Sequence, residues 1–139
     1  KAVGSVTLTE APGGVLVKIS GKGLPPGWHG IHFHEKGTCA DAGFKASGSH
    51  VHGGAAPGIH GLLNPQRTDF GDLPNVHVAA DGSLDAEIYS PLVSLAGAGG
   101  RAALKDADGS ALVLHAAADD HLTQPIGGAG ARIACAVIR

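Results

Sequence analysis

Methionine is absent from this 139-residue chain, and aromatic residues are few: one tryptophan, one tyrosine and three phenylalanines. No thioether is therefore on offer to a soft metal ion. The only cysteines, Cys39 and Cys135, lie near opposite ends of the chain, which excludes a CxxC zinc knuckle. They are either two unrelated buried thiols or a disulfide, and a disulfide implies an oxidising compartment. Neither sign of charge dominates. Ten Lys and Arg stand against twelve Asp and Glu, a formal net charge of −2, which carries no nucleic-acid signature. No apolar run is long enough to span a bilayer, so no membrane association is expected. Lys1 leads at once into strand-like sequence with no signal peptide in view. The chain is thus either cytosolic or begins after a cleaved signal.

Glycine, at 23 residues, and proline, at 8, are abundant. Together with the short apolar runs they point to an all-β chain, and its length suits one domain over residues 1–139. Segments 5–10 and 15–19 alternate apolar and polar residues around Ala11-Pro12-Gly13-Gly14, which predicts a hairpin. Leu24-Pro25-Pro26-Gly27 breaks the chain before an apolar run, Trp28 to His34. Val76–Ala80 and Leu84–Tyr89 flank Asp81-Gly82, a second hairpin signal. Leu112–His115 and Arg132–Ile138 read as further strands, and the one helical turn expected falls near Ser90–Leu95. That gives about seven or eight short strands, the pattern of a sandwich or barrel. Residues 35–75 show little periodicity, and a loop that long is normally functional or tied down. Residues 116–130 form a second loop.

The chemistry-bearing residues cluster in and around those loops. In a strand, His32 and His34 point to one face, so two imidazoles aim at one spot. As a bare pair they could equally be surface polar residues. With His50 and His60 in the long loop and His115 at the end of another apolar strand, they suggest a redox copper held by imidazoles. His29 is out of phase with His32 and reads as a structural hydrogen-bonding residue. His77 reads as a solvent-facing strand residue, and His121 as an exposed residue near the rim.

Several segments resemble one family. Gly30-Ile31-His32-Phe33-His34-Glu35-Lys36-Gly37-Thr38-Cys39 is similar to the copper-strand motif of copper/zinc superoxide dismutases. Ser47-Gly48-Ser49-His50 resembles the segment that carries their bridging histidine. His60 to Pro65 and Gly71-Asp72-Leu73-Pro74-Asn75 resemble the zinc loop of the bacterial, periplasmic branch. Leu114-His115 with Asp119-Asp120 and the closing run Gly128 to Ile138 complete the set in order. The resemblance implies a flattened Greek-key β-barrel, an immunoglobulin-like sandwich of about eight antiparallel strands with two long functional loops. It implies copper on His32, His34, His50 and His115, with His50 bridging to zinc. Asp119 would link His32 to His60, Arg132 would stand beside copper and attract an anionic substrate, and Cys39 and Cys135 would form a disulfide.

The zinc half departs from the family pattern of three histidines and one aspartate. Asp69 stands where a histidine is expected, and an additional histidine, His52, follows His50. The His50–His60 interval is two residues longer than usual, whereas His52–His60 has the usual length. One reading gives His50, His60, Asp69 and Asp72 as zinc ligands, since a carboxylate oxygen is an acceptable donor. A second lets His52 replace Asp69. A third shifts the register so that His52 is the bridge, and a fourth leaves no zinc at all. Loop 119–131 also lacks lysine and arginine before Arg132, leaving Lys36 and Lys45 as the nearest basic residues in sequence.

The implied activity is conversion of two superoxide anions to oxygen and hydrogen peroxide by alternating Cu(II) and Cu(I), with zinc structural and tuning. The alternative is a catalytically silent copper-binding or copper-delivery protein on the same fold. Against it stand Arg132, the complete four-histidine set and the lack of sulfur ligands for copper(I). A structural sandwich with adventitious metal is a third class. The expected partner is superoxide rather than nucleic acid or membrane, the expected location is periplasmic or otherwise exported, and a homodimer is left open.

Overall fold

The computed structural model describes residues 3–139. Strands β1 (Val3–Ala11) and β2 (Gly14–Lys22) form the first hairpin, with Ala11 opposite Gly14 as the turn chemistry predicts. β2 alternates: Val15, Val17 and Ile19 turn inward, while Lys18 and Ser20 stay exposed. β6 (Leu84–Ser90) joins the other side of β2, giving a sheet in the order β1-β2-β6. The second sheet, β10-β9-β4, is built from β4 (Ile31–His34), β9 (Ser110–His115) and β10 (Arg132–Ile138). Placing β4 beside β9 joins strands distant in sequence, as Greek-key connections do. Phe33 and Ile31 from β4 and Leu112 and Leu114 from β9 meet Val15, Val17 and Ile19 in one core. This is an all-β sandwich with Phe33 and a set of branched aliphatic side chains buried between the sheets, while Trp28 and Tyr89 stay exposed.

Three expectations need correction. The run from Trp28 to His34 is not one strand. It breaks at Gly30 into β3 (Gly27–His29), which pairs with β5 (Val76–Val78), and β4, which pairs with β9. Asp81-Gly82 makes its turn, closed by Ala79 N–H to Ser83 O at 2.8 Å. The flanking strands then part, β5 toward β3 and β6 toward β2, so the turn joins two sheets rather than closing a ladder. No helical turn forms over Ser90–Leu95; Val93–Ser94 is strand β7, parallel to β8 (Ala102–Ala103). The helical turns instead are the short 3-10 pieces Lys45–Ser47 and Ala98–Gly100.

The long loop 35–75 lies back along β4. Isolated bridges pair His34 with His50, His32 with Asp72, and His52 with Asp69. Phe33 anchors this layering: its N–H donates to Gly71 O and its C=O accepts from Val51 N–H, both at 2.9 Å. At Gly71 a Cβ would collide with the Phe33 carbonyl, so the close approach requires glycine. Cys39 and Cys135 are joined by a disulfide with their Cα atoms 5.8 Å apart, pinning the loop to β10 across 96 residues. Closing so long a loop contributes about 4–5 kcal/mol in the chain-entropy picture. Among the described residues, no helix is long and apolar enough to cross a membrane.

Candidate metal centre

Strand alternation sends Phe33 into the core and puts His32 and His34 on the opposite face of β4, both fully buried. His115 arrives from the neighbouring strand β9, and His50 is delivered by its bridge to His34. Each ring is fixed through one nitrogen. His34 Nδ1 donates to Gly48 O at 2.8 Å, and His115 Nδ1 donates to Gly130 O at 3.0 Å. His32 Nε2 donates to Asp119 Oδ2 at 2.7 Å. The other nitrogens, His32 Nδ1, His34 Nε2, His50 Nε2 and His115 Nε2, are buried with no hydrogen-bond partner. All four residues offer ligand atoms within 4.8 Å of one another. Four orphaned, converging imidazole nitrogens are costly unless something binds them, and a copper ion is the species this donor set suits.

The second cluster lies behind His50. Its Nδ1 is 2.8 Å from Asp69 Oδ2 and 3.4 Å from Asp72 Oδ1. His60 Nδ1 is 2.8 Å from Asp72 Oδ1 and 3.5 Å from Asp69 Oδ2. These four separations lie near the spacing of about 3.4 Å between ligand atoms around a tetrahedral zinc ion. His32 also lies within 4.8 Å of the His50, His60 and Asp72 ligand atoms. Its Nε2 is taken up by Asp119 and its Nδ1 is unpartnered within the imidazole cluster, whereas Asp69 reaches both His50 and His60. His52 stays outside. Its backbone bridges Asp69, but its Nδ1 is 3.0 Å from the carbonyl of His50 and its ring remains half-buried.

Asp119 ties the two clusters together. Its Oδ2 holds His32 and its Oδ1 accepts from His60 Nε2 at 2.9 Å. A Cβ on Gly127 would overlap this carboxylate, so the loop closes over it only with glycine there. Arg132 is directly opposite His115 at the start of β10, and a register shift follows between Arg132 and Ala134. Such a bulge re-aims a side chain at a site. The guanidinium is steadied by Nη1 bonds to Phe44 O at 2.8 Å and Ser47 Oγ at 3.0 Å.

Proton affinities divide between the halves. Burial pushes His32 down to about 4 despite Asp119, and pushes His34 down to about 2, helped by the neighbouring His50. His115 is lowered for the same reason. Burial opposes charge on His50 and His60 too, but facing carboxylates outweigh it. Asp69 and Asp72 raise His50, while Asp119, Asp69 and Asp72 raise His60 to about 11. The three carboxylates are held below their usual range by these rings, against burial. Without metal, His32, His34 and His115 favour the neutral form, while His60 and the shared His50 are pushed toward the charged form.

Of the remaining histidines, His29 is buried with Nδ1 and Nε2 each 2.7 Å from a carbonyl, of His115 and Pro25, and His77 is exposed. His121 is half-buried rather than exposed: its N–H donates to Asp119 Oδ1 at 2.7 Å and its ring contacts Asn75. Sequence reasoning passed over Gln124 altogether and took Asn75 only as part of a motif. Asn75 clasps the backbone of Asp119, and Gln124 that of His60.

Fold and site together define a Greek-key β-sandwich with a paired metal centre, one half all imidazole and the other imidazole and carboxylate. The family model described as copper/zinc superoxide dismutase matches residues 2–138. A Cu-Zn superoxide dismutase of Caulobacter vibrioides is 66% identical over 139 residues, covering all of this chain and 79% of the relative. Among solved structures, a SOD-like protein from Bacillus subtilis superposes with a TM-score of 0.90 at 38% identity, covering 100% of this chain and 91% of the other. The Cu/Zn superoxide dismutase from Brucella abortus gives 0.78 at 32%, covering 100% and 90%. The chain belongs to the copper/zinc superoxide dismutase family.

Proposed function

We infer that this protein is a superoxide dismutase, with copper on His32, His34, His50 and His115 and zinc on His50, His60, Asp69 and Asp72. The observation that carries the reading is the set of four buried, unpartnered ring nitrogens converging at one point. Copper held by these four residues would supply the one-electron chemistry by which two superoxide anions and two protons give oxygen and hydrogen peroxide.

The protein's own groups prepare that exchange. Gly48, Gly130 and Asp119 hold the three terminal imidazoles in fixed tautomers, so no reorganisation precedes binding. The Asp69 contact at Nδ1 sets the His50 ring so that Nδ1 faces the zinc half and Nε2 the imidazole cluster, where Nε2 would hold the proton passed to the peroxide product. Arg132 supplies the local positive charge for a small anion, on a chain whose net charge is −2. In the zinc half, Asp69 takes the position where the family has a histidine, and His52 is a bystander. The disulfide and the bacterial relatives support an exported, periplasmic setting.

The test is to load the protein with copper and zinc and follow the copper(II) signal on adding superoxide. Partial bleaching to a steady state, lost in His115→Ala, supports the reading. A full-strength copper(II) signal that superoxide leaves untouched would instead mark a copper carrier.

A further inference from the structure

Gln124 makes an unusual use of its side chain. The residue is exposed, yet its carboxamide turns inward and takes both backbone groups of His60: His60 N–H donates to Oε1 at 2.8 Å, and Nε2 donates to His60 O at 2.7 Å. Nε2 also donates to Leu122 O at 2.8 Å. Two carbonyls at one end and an N–H at the other fix the amide's orientation. The contact spans 64 residues in sequence and imitates one rung of a β-ladder.

A matching clasp lies nearby. Asn75 Nδ2 donates to Asp119 O and Asn75 Oδ1 accepts from Asp119 N–H, both at 2.9 Å. One carboxamide reaches from the zinc-side loop to the active-site loop, and the other reaches back. Between them runs the side-chain bond from His60 Nε2 to Asp119 Oδ1. Residues 119–131 carry no lysine or arginine, so this loop offers no positive charge of its own before Arg132.

We propose that Gln124 is a positioning residue whose carboxamide clasps the backbone of the zinc ligand His60 and so slows zinc release. The proposal rests on His60 being a zinc ligand. Loss of the clasp leaves the His60 backbone N–H without its partner and lets the ring drift from Asp72. Outer partners of this kind typically change metal retention by about 10-fold or more.

The experiment compares the metal-loaded wild type with Gln124→Met, which keeps length but removes all three bonds, and with Thr123→Val, which alters the same loop without touching His60. Zinc transfer to an excess chelator, hydrogen exchange at the His60 amide and the visible spectrum of cobalt(II) seated in the zinc half are recorded. His60→Ala checks the ligand itself. The proposal predicts that Gln124→Met releases zinc about 10-fold or more faster. Its His60 amide also exchanges faster and its cobalt spectrum shifts, while Thr123→Val matches wild type. Zinc release at the wild-type rate in Gln124→Met, with His60→Ala losing zinc, overturns the clasp alone. Equal acceleration in Thr123→Val also overturns it, because any loosening of the loop would then suffice. Zinc retained at full affinity in His60→Ala overturns the ligand assignment and the clasp together.

Discussion

Nδ1 of His50 lies 2.8 Å from Oδ2 of Asp69, a carboxylate standing where the family pattern calls for an imidazole. The same oxygen is 3.5 Å from His60 Nδ1, so Asp69 faces both histidines of the mixed cluster at once. A second carboxylate makes this half more anionic and harder as a donor set than three imidazoles and one aspartate.

Asp69 and His52 are therefore predicted to behave differently. Asp69→Asn weakens zinc binding by about 100-fold, at the upper end of what altering a metal's surroundings typically costs. His52→Asn leaves zinc affinity within a factor of two or so, since its ring is turned to a backbone carbonyl. Competition titrations against a zinc chelator measure both. A large loss in His52→Asn with none in Asp69→Asn would reverse the assignment.

Zinc uptake should expel protons. His60 is raised to about 11, so its ring is protonated in the metal-free protein at pH 7, and carboxylates push His50 in the same direction. The His60 ring must free Nδ1 for the metal, so zinc binding releases at least about one proton. Calorimetry in buffers of different ionisation enthalpy reads that number. Affinity accordingly weakens as pH falls.

The metal-free protein should be acid-sensitive well above the carboxylate range. His32 and His34 are held near 4 and 2 in the folded chain, against about 6.5 when unfolded. Below pH 6.5 the unfolded chain therefore binds protons that the folded chain refuses. Stability falls as pH drops from about 6.5 to 4, by roughly 3 kcal/mol per pH unit for the two rings at the steepest point. His115, lowered likewise, acts in the same direction. Urea midpoints across this range test it; a flat profile would contradict the burial of neutral rings.

Arg132→Ala should lower kcat/KM by about 10-fold or more at low salt and flatten its dependence on ionic strength, because the local attraction for an anion is removed. Since Arg132 also bonds Phe44 O and Ser47 Oγ, Arg132→Lys separates charge from scaffolding. It keeps the charge and should retain much of the rate.

The imidazole half was legible in the sequence because strand alternation alone puts His32 and His34 on one face, and β4 obeys it. The first hairpin was legible because Pro12 and Gly13 close a local turn. Elements whose partners lie far away were not. The Asp81-Gly82 turn reads as a hairpin, yet β5 and β6 choose different sheets through tertiary pairing with β3 and β2. Gly30 breaks the apolar run because its N–H goes to Ala117 O, a contact with no local signature. The choice between Asp69 and His52 stayed open in sequence because their backbones are bridged and both lie beside His50. In the structure their side chains part, Asp69 reaching His50 Nδ1 and the His52 ring turning to the His50 carbonyl. The Asn75 and Gln124 clasps span 44 and 64 residues and leave no periodic trace.

Catalytic turnover of superoxide by the copper- and zinc-loaded protein tests the account most directly. With superoxide in large molar excess, its decay should become first order in superoxide and proportional to protein, each copper turning over many times, and His34→Ala should abolish the effect. Decay at the spontaneous second-order rate, with copper bound to all four histidines, would contradict a dismutase and leave a silent copper protein on the same fold.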